Sequence, residues 1–215
     1  MAFKGWGSAA IEFFEALEAD NSRTFWQAHK SVYEHEVKRP MEELLDELSK
    51  EFGEGKIFRP NRDIRFSHDK SPYKTNIAAT LSKGGYLSLS AEAFGVGCGM
   101  YMPMPDQLDR LRRAVADNRT GAQIEKLVDA VRSQGIEVSA HDELKTAPKG
   151  YPKDHPRIEL LRMKGMITWK QWPISAWLGT AKAKQRVVDV LHAAKPINAW
   201  LDKNVGPTTM SMERR

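Results

Sequence analysis

Between Arg59 and Lys74 the chain reads RPNRDIRFSHDKSPYK, sixteen residues of which five are Arg or Lys and two are Asp. Arg59, Arg62 and Arg65 recur at intervals of three. Planar guanidinium forks match phosphate or carboxylate oxygens in pairs, and several on one short loop repel unless anions sit between them. The stretch therefore predicts an anion-handling loop. In that reading Arg59, Arg62 and Arg65 clamp oxygens, Lys70 and Lys74 add charge, and Tyr73 orients the ligand. Asp63 either holds an arginine in place or serves as a general base. With Asp63 and Asp69 set against five cations, internal pairing leaves a surplus of three. Ser67 and Asn76 add the neutral hydrogen-bonding groups that fix a ligand's orientation. The competing reading is an internal Arg–Asp network that braces a long loop without any ligand.

A second candidate lies in KGYPKDHP, where Asp154 and His155 could pair as a base and its orienting partner. Against this, Pro152 and Pro156 stiffen the segment, and an internally hydrogen-bonded His155 serves structure alone. Other chemistry lacks its motif: GxGxxG, GxxxxGK[ST], HExxH, CxxC and GxSxG are all missing. Neither a metal nor a cofactor is expected. Cys98, on the apolar face of a strand pattern, reads as a small buried hydrophobe rather than a nucleophile. Trp169, Trp172 and Trp177 read as core or helix-joint residues, because no cluster of cations is interleaved with them.

The pattern RxxRDxRFxxxKxxY is supplied without departure by Arg59, Arg62, Asp63, Arg65, Phe66, Lys70 and Tyr73. Together with NSRTFWQAHKSVYEHEVKRP and APKGYPKDHPRIELLR it resembles the conserved hypothetical family called domain of unknown function 2461. The likeness covers most of the chain and implies a site at Arg59–Tyr73. It brings no reaction, since the family is named for lacking one.

The elements that would position these residues follow from periodicity. Ser8 is expected to cap a first helix carrying Ile11, Phe14 and Leu17. Asp20-Asn21-Ser22 breaks it and caps a second, with Phe25, Trp26, His29, Tyr33 and Val37 on its apolar side. Pro40 bends or restarts the run, and Met41, Leu44, Leu45, Leu48 and Phe52 continue one face to Gly53. From Lys56 the period changes to alternation: KIFRP, NIAATL, YLSLS after a Lys83-Gly84-Gly85 turn, and FGVGCGMY. Gly95, Gly97 and Gly99 share a face, so something must lie close against that backbone, with a packed helix favoured over a ligand. Helices follow from Pro105 and Thr120, then a long loop over 139–157, a helical turn at Ile158–Arg162, a strand at MITWK and a helix from Thr180 to Lys203 perturbed at Pro196. The expectation is one α+β domain over 1–215. It comprises an acidic helical segment 1–55, a sheet at 56–101, helices at 105–135, and helix, strand and helix over 158–203. Its antiparallel sheet has about five strands, with helices before and after packed on its faces.

Hydrophobic residues make up 41% of the 215, with six Trp and eight Phe, which suffices for a core. A single Cys excludes an internal disulfide and fits a reducing cytoplasm. The opening MAFKGWGSAAIEFF has too short an apolar run for a signal peptide, and no stretch reaches membrane-span length. The net charge of +5 is unevenly spread. Residues 1–55 hold six Lys or Arg against twelve Asp or Glu, and the remainder holds twenty-seven against sixteen. A soluble, cytoplasmic protein with a small anionic, phosphorylated or carboxylated ligand is the favoured reading. A nucleic-acid or protein interaction module using the basic face is the second. A purely structural role for the loop is the third. Composition fixes neither an enzymatic reaction nor an oligomeric state.

Overall fold

The computed structural model describes residues 2–65 and 68–210. Its elements in chain order are α1 (Ser8–Ala19), α2 (Arg23–Val32), a π-helical stretch (Tyr33–Lys38) and α3 (Arg39–Phe52). Four strands follow: β1 (Gly55–Ile57), β2 (Asn76–Leu81), β3 (Gly85–Ser90) and β4 (Ala93–Met100). Then come α4 (Pro105–Ala116), α5 (Asn118–Arg132), β5 (Glu137–Ser139), α6 (Ile158–Arg162), β6 (Met166–Pro173) and α7 (Lys182–Asn204). The strands form one six-stranded antiparallel sheet in the order β1-β2-β3-β4-β6-β5. No described helix is long and apolar enough to cross a membrane.

The chain divides into two compact units, Met1–Val96 with Gln171–Val190, and Gly97–Lys170 with Leu191–Arg215. In the first, Phe14, Leu17, Met41, Leu44 and Leu48 of the helices are buried along with Ile77, Ala79, Leu87, Leu89 and Phe94 of the sheet. Fully burying side chains of this size stabilises by about 1.5–3 kcal/mol each before ordering entropy is subtracted. In the second, Leu111, Val115, Ile124, Val128, Leu161 and Met166 are buried.

The α+β class and antiparallel sheet match the sequence expectation, with six strands where about five were expected. The additional strand is β5, three residues long, too short for alternation to register. β1 ends at Ile57, so Arg59 lies two residues beyond the strand rather than at its end. Ser8 does not cap α1: Gly7 holds that position and no side chain closes it. Ser22 does cap α2, accepting from the Phe25 N–H at 3.0 Å. α5 starts at Asn118, capped by Asp117, rather than at Thr120.

The run does not break at Pro40. It widens instead to a π turn, in which the Arg39 N–H reaches back five residues to the Glu34 carbonyl, and α3 restarts with Pro40 in its first turn. A proline ring clashes with the carbonyl four residues earlier in a regular helix, and a wider turn relieves that.

At Gly97 and Gly99 of β4 the close neighbour is a strand rather than a helix. A Cβ on Gly97 would collide with the Thr168 carbonyl and the Trp169 ring of β6, and one on Gly99 (φ +117) with the Met166 carbonyl. The neighbouring strand itself comes that close.

Candidate functional site

The stretch from Arg59 to Lys74 is the excursion between β1 and β2. Its two limbs are pinned by a bridge pairing Asn61 with Tyr73. Arg62 N donates to the Pro72 carbonyl and Lys74 N to the Pro60 carbonyl, each at 2.9 Å. Tyr73 is only 6% exposed, and its ring stacks on Trp26 at 4.2 Å between centroids and 9° between planes. The Tyr73 N–H donates to Asn21 Oδ1 at 3.0 Å, and Asn21 Nδ2 donates back to the Tyr73 carbonyl at 3.1 Å. One amide in the turn between α1 and α2 thus clamps the base of the loop as a neighbouring strand would. Tyr73 is the loop's anchor; its ring does not stand out to orient a ligand.

Beyond the bridge the charges sort into pairs. Arg65 grips Asp63 with two prongs, Nε to Oδ1 at 2.9 Å and Nη2 to Oδ2 at 2.7 Å. That grip holds the Asp63 carboxyl down at about 2. Of the two roles open to Asp63, the grip on Arg65 is the one its geometry displays. Arg62 pairs with Asp69, which also accepts the Ser71 N–H at 2.9 Å. Hydrogen bonds from Ser71, followed by Arg62, hold Asp69 at about 2.

Lys70 Nζ donates to the Ile64 carbonyl at 3.0 Å, and Lys74 Nζ stands 5.5 Å from the centre of the Phe58 ring. Among the described residues Arg59, Lys70 and Lys74 form no ion pair, although the Arg59 charge is close enough to help lower Asp63. Arg65 remains 75% exposed at its side chain even while paired. Asn76 is used within the sheet, donating to Ser88 Oγ at 2.8 Å. Phe66 and Ser67 lie outside the described residues.

Asp63 belongs to the first compact unit and His155 to the second. His155 Nδ1 accepts the Arg157 N–H at 3.1 Å, which sets the turn into α6. The residue that sequence reasoning passed over in this segment is Arg157. Only 9% exposed, it donates through Nε to the Val115 carbonyl at 2.7 Å and through Nη2 to Ala116 and Asp117 carbonyls at 3.2 and 3.3 Å. The Val115 and Ala116 carbonyls are orphans at the end of α4, whereas that of Asp117 also accepts the Gly121 N–H, and a guanidinium there meets the negative end of the helix dipole. Gly121 leaves the room: a Cβ on it would meet Val115 O and, at 2.5 Å, Arg157 Nε. The signal available in sequence was a positive residue following a stiff DHP tripeptide, which does not reveal its distant partner.

The family model for conserved hypothetical proteins designated DUF2461 matches residues 9–200. The chain belongs to that family. No curated protein matches this DUF2461 chain. Among solved structures it is similar to a conserved hypothetical protein of Pyrococcus furiosus, at 11% identity and a TM-score of 0.40, with 80% of this chain and 97% of that one covered.

The second unit of the DUF2461 chain carries an open cleft of about 420 Å³ lined by Arg110, Arg113, Ala114, Asp117, Arg119, Thr120 and Asn204. Two of its three arginines are held by acids. Arg110 pairs with Asp106 at 3.0 Å and donates to the Val205 and Pro207 carbonyls at 2.6 and 2.7 Å. Arg113 pairs with Asp109 at 2.8 Å, and Asp117 puts its own carboxylate at the start of α5. The lining itself carries three arginines and one aspartate, with Asp106 and Asp109 pairing the first two arginines from beside it. Cys98 is buried, its thiol pushed up by burial, with Sγ 3.2 Å from Thr168 Oγ1. Among the described residues no group of three or more His, Cys, Asp and Glu gathers as a metal site would require.

Proposed function

We propose that the Arg59–Lys74 loop is an anion-binding element that takes phosphate or carboxylate oxygens on Arg59, Lys70 and Lys74. The supporting observation is the charge balance inside the loop. Its two acids are each held by one arginine, which leaves three cations without an ion pair among the described residues. In this reading Arg62 and Arg65 are bracing groups that hold the loop's shape, and Tyr73 and Asn21 fix it to the helices. A rigid loop is the better receptor, because ordering costs are met at folding rather than at binding. No chemical step is assigned to the loop, since Asp63 is engaged with Arg65.

The test is a thermal-shift titration with inorganic phosphate, sulfate and a set of phosphorylated metabolites, run on the native chain and on Arg59→Ala/Lys74→Ala. A ligand at a hundred times its Kd stabilises by about 2.7 kcal/mol, so a melting point raised by roughly 5–10 °C is expected for the native chain. The variant should lose most of that rise. An equal shift in both proteins, or none in either, would overturn the proposal.

A further inference from the structure

We infer that the anion received by this loop is the backbone of a single-stranded nucleic acid whose bases stack on Phe58 and Tyr86 at the loop's foot. The inference rests on the anion-binding reading above and names its ligand class.

The register places the two rings together. Lys56 pairs with Thr80 and Thr80 with Tyr86, so these three point to one face of the sheet. Phe58 continues the alternation from Lys56, with its N–H donating to the Ala78 carbonyl at 2.9 Å. The opposite face carries Ile77, Ala79, Leu81, Leu87 and Leu89, all buried. On the outer face Phe58 stays 39% and Tyr86 36% exposed, with ring centroids 6.3 Å apart and planes at 44°. Lys74 Nζ, 5.5 Å from the centre of the Phe58 ring, ties this pair to the cationic loop.

Charge and aromatic surface therefore adjoin. Residues 56–90 hold seven Lys or Arg and only two Asp or Glu. A planar base offers a π face to an aromatic ring whatever its sequence, while cations beside it follow the phosphates. A duplex keeps its base faces stacked on each other, so rings that are partly exposed beside cations select unpaired strands. A single nucleotide shares the chemistry, but it can engage only one ring and one phosphate group, whereas a strand engages both rings and several cations at once.

The test is fluorescence anisotropy with labelled oligodeoxythymidine and oligouridine of about twelve nucleotides. An abasic strand of equal charge, a duplex of equal length and thymidine monophosphate serve as comparators. Single strands should bind with a salt slope of about −2, three phosphate contacts at about 0.7 each. Phe58→Ala and Tyr86→Ala should each weaken binding about tenfold with the slope unchanged. Phe58→Leu, which keeps apolar bulk without a π face, should lose as much as Phe58→Ala, and Phe58→Trp should restore it. Arg59→Ala and Lys74→Ala should instead flatten the slope for the native and abasic strands alike. If the abasic strand binds as tightly as the native one and ignores Phe58→Ala, the stacking inference falls while the anion site stands. A duplex or a monophosphate bound as tightly as the strand also overturns it. If no polyanion binds even at low salt, the inference and the anion-binding reading fall together.

Discussion

Asp63 and Asp69 are the residues through which the loop senses acid. Both carboxyls sit near 2, below the ordinary 3.8, because hydrogen bonds from Arg65 in one case and chiefly from Ser71 in the other favour the charged form. A depressed carboxylate contributes its bracing above its unfolded value and loses it as pH falls through the folded value. The loop's ion pairs should therefore persist at pH 4 and release between about pH 4 and pH 2. Carbon-detected NMR titration of the two side chains checks this, and Arg65→Gln should return Asp63 toward the ordinary range. Asp63→Asn makes a converse prediction at neutral pH. It removes one negative charge from beside the loop's cations, so phosphate or sulfate binding measured by calorimetry should strengthen, whereas a loop that only braces itself would show no binding to strengthen. The cation surplus is legible in the sequence because pairing within sixteen residues is local arithmetic. The inward turn of Tyr73 is not, since its partners Trp26 and Asn21 are about fifty residues away.

At the level of elements, Arg157 joins α6 to the end of α4, and the joint should be measurable. Arg157→Ala leaves the Val115 and Ala116 carbonyls without their donor in a buried place. A loss of roughly 2–4 kcal/mol in urea unfolding is expected, with little recovery in Arg157→Lys, which lacks the planar fork. Gly121→Ala should cost a comparable amount by displacing the same guanidinium. Strands β2, β3 and β4 and their turns were readable because alternation and Gly84 sit together in the sequence. The π turn before Pro40 was not, because a proline marks where a regular helix is disturbed without saying whether it kinks, restarts or widens. The cover over Gly97 and Gly99 was readable as a need but not as a source, since β6 lies some seventy residues downstream.

For the molecule as a whole, charge is arranged by unit rather than by half. The first compact unit holds sixteen Lys or Arg and sixteen Asp or Glu, and the second seventeen against twelve. The cationic loop is thus a local island in a neutral unit whose acids concentrate on α1, the π turn and α3. Neither unit is contiguous in sequence. The first needs Leu178, Ala183, Val187 and Val190, all buried, and the Trp6 N–H donates to the Leu178 carbonyl at 3.0 Å. A chain ending at Val96 should accordingly show no near-UV circular dichroism of packed aromatics, although it contains the entire Arg59–Lys74 loop. A native-like spectrum from that fragment would contradict this assignment of its core.

The Asn21 clamp has a consequence for how the protein ages. Asparagine followed by serine is a setting for slow side-chain hydrolysis, and here the product would exchange a donor for an oxygen facing the Tyr73 carbonyl. One spontaneous chemical event, at a side chain that carries no charge, would then unlatch the loop. Old preparations of the protein should lose whatever the loop holds before they lose their fold.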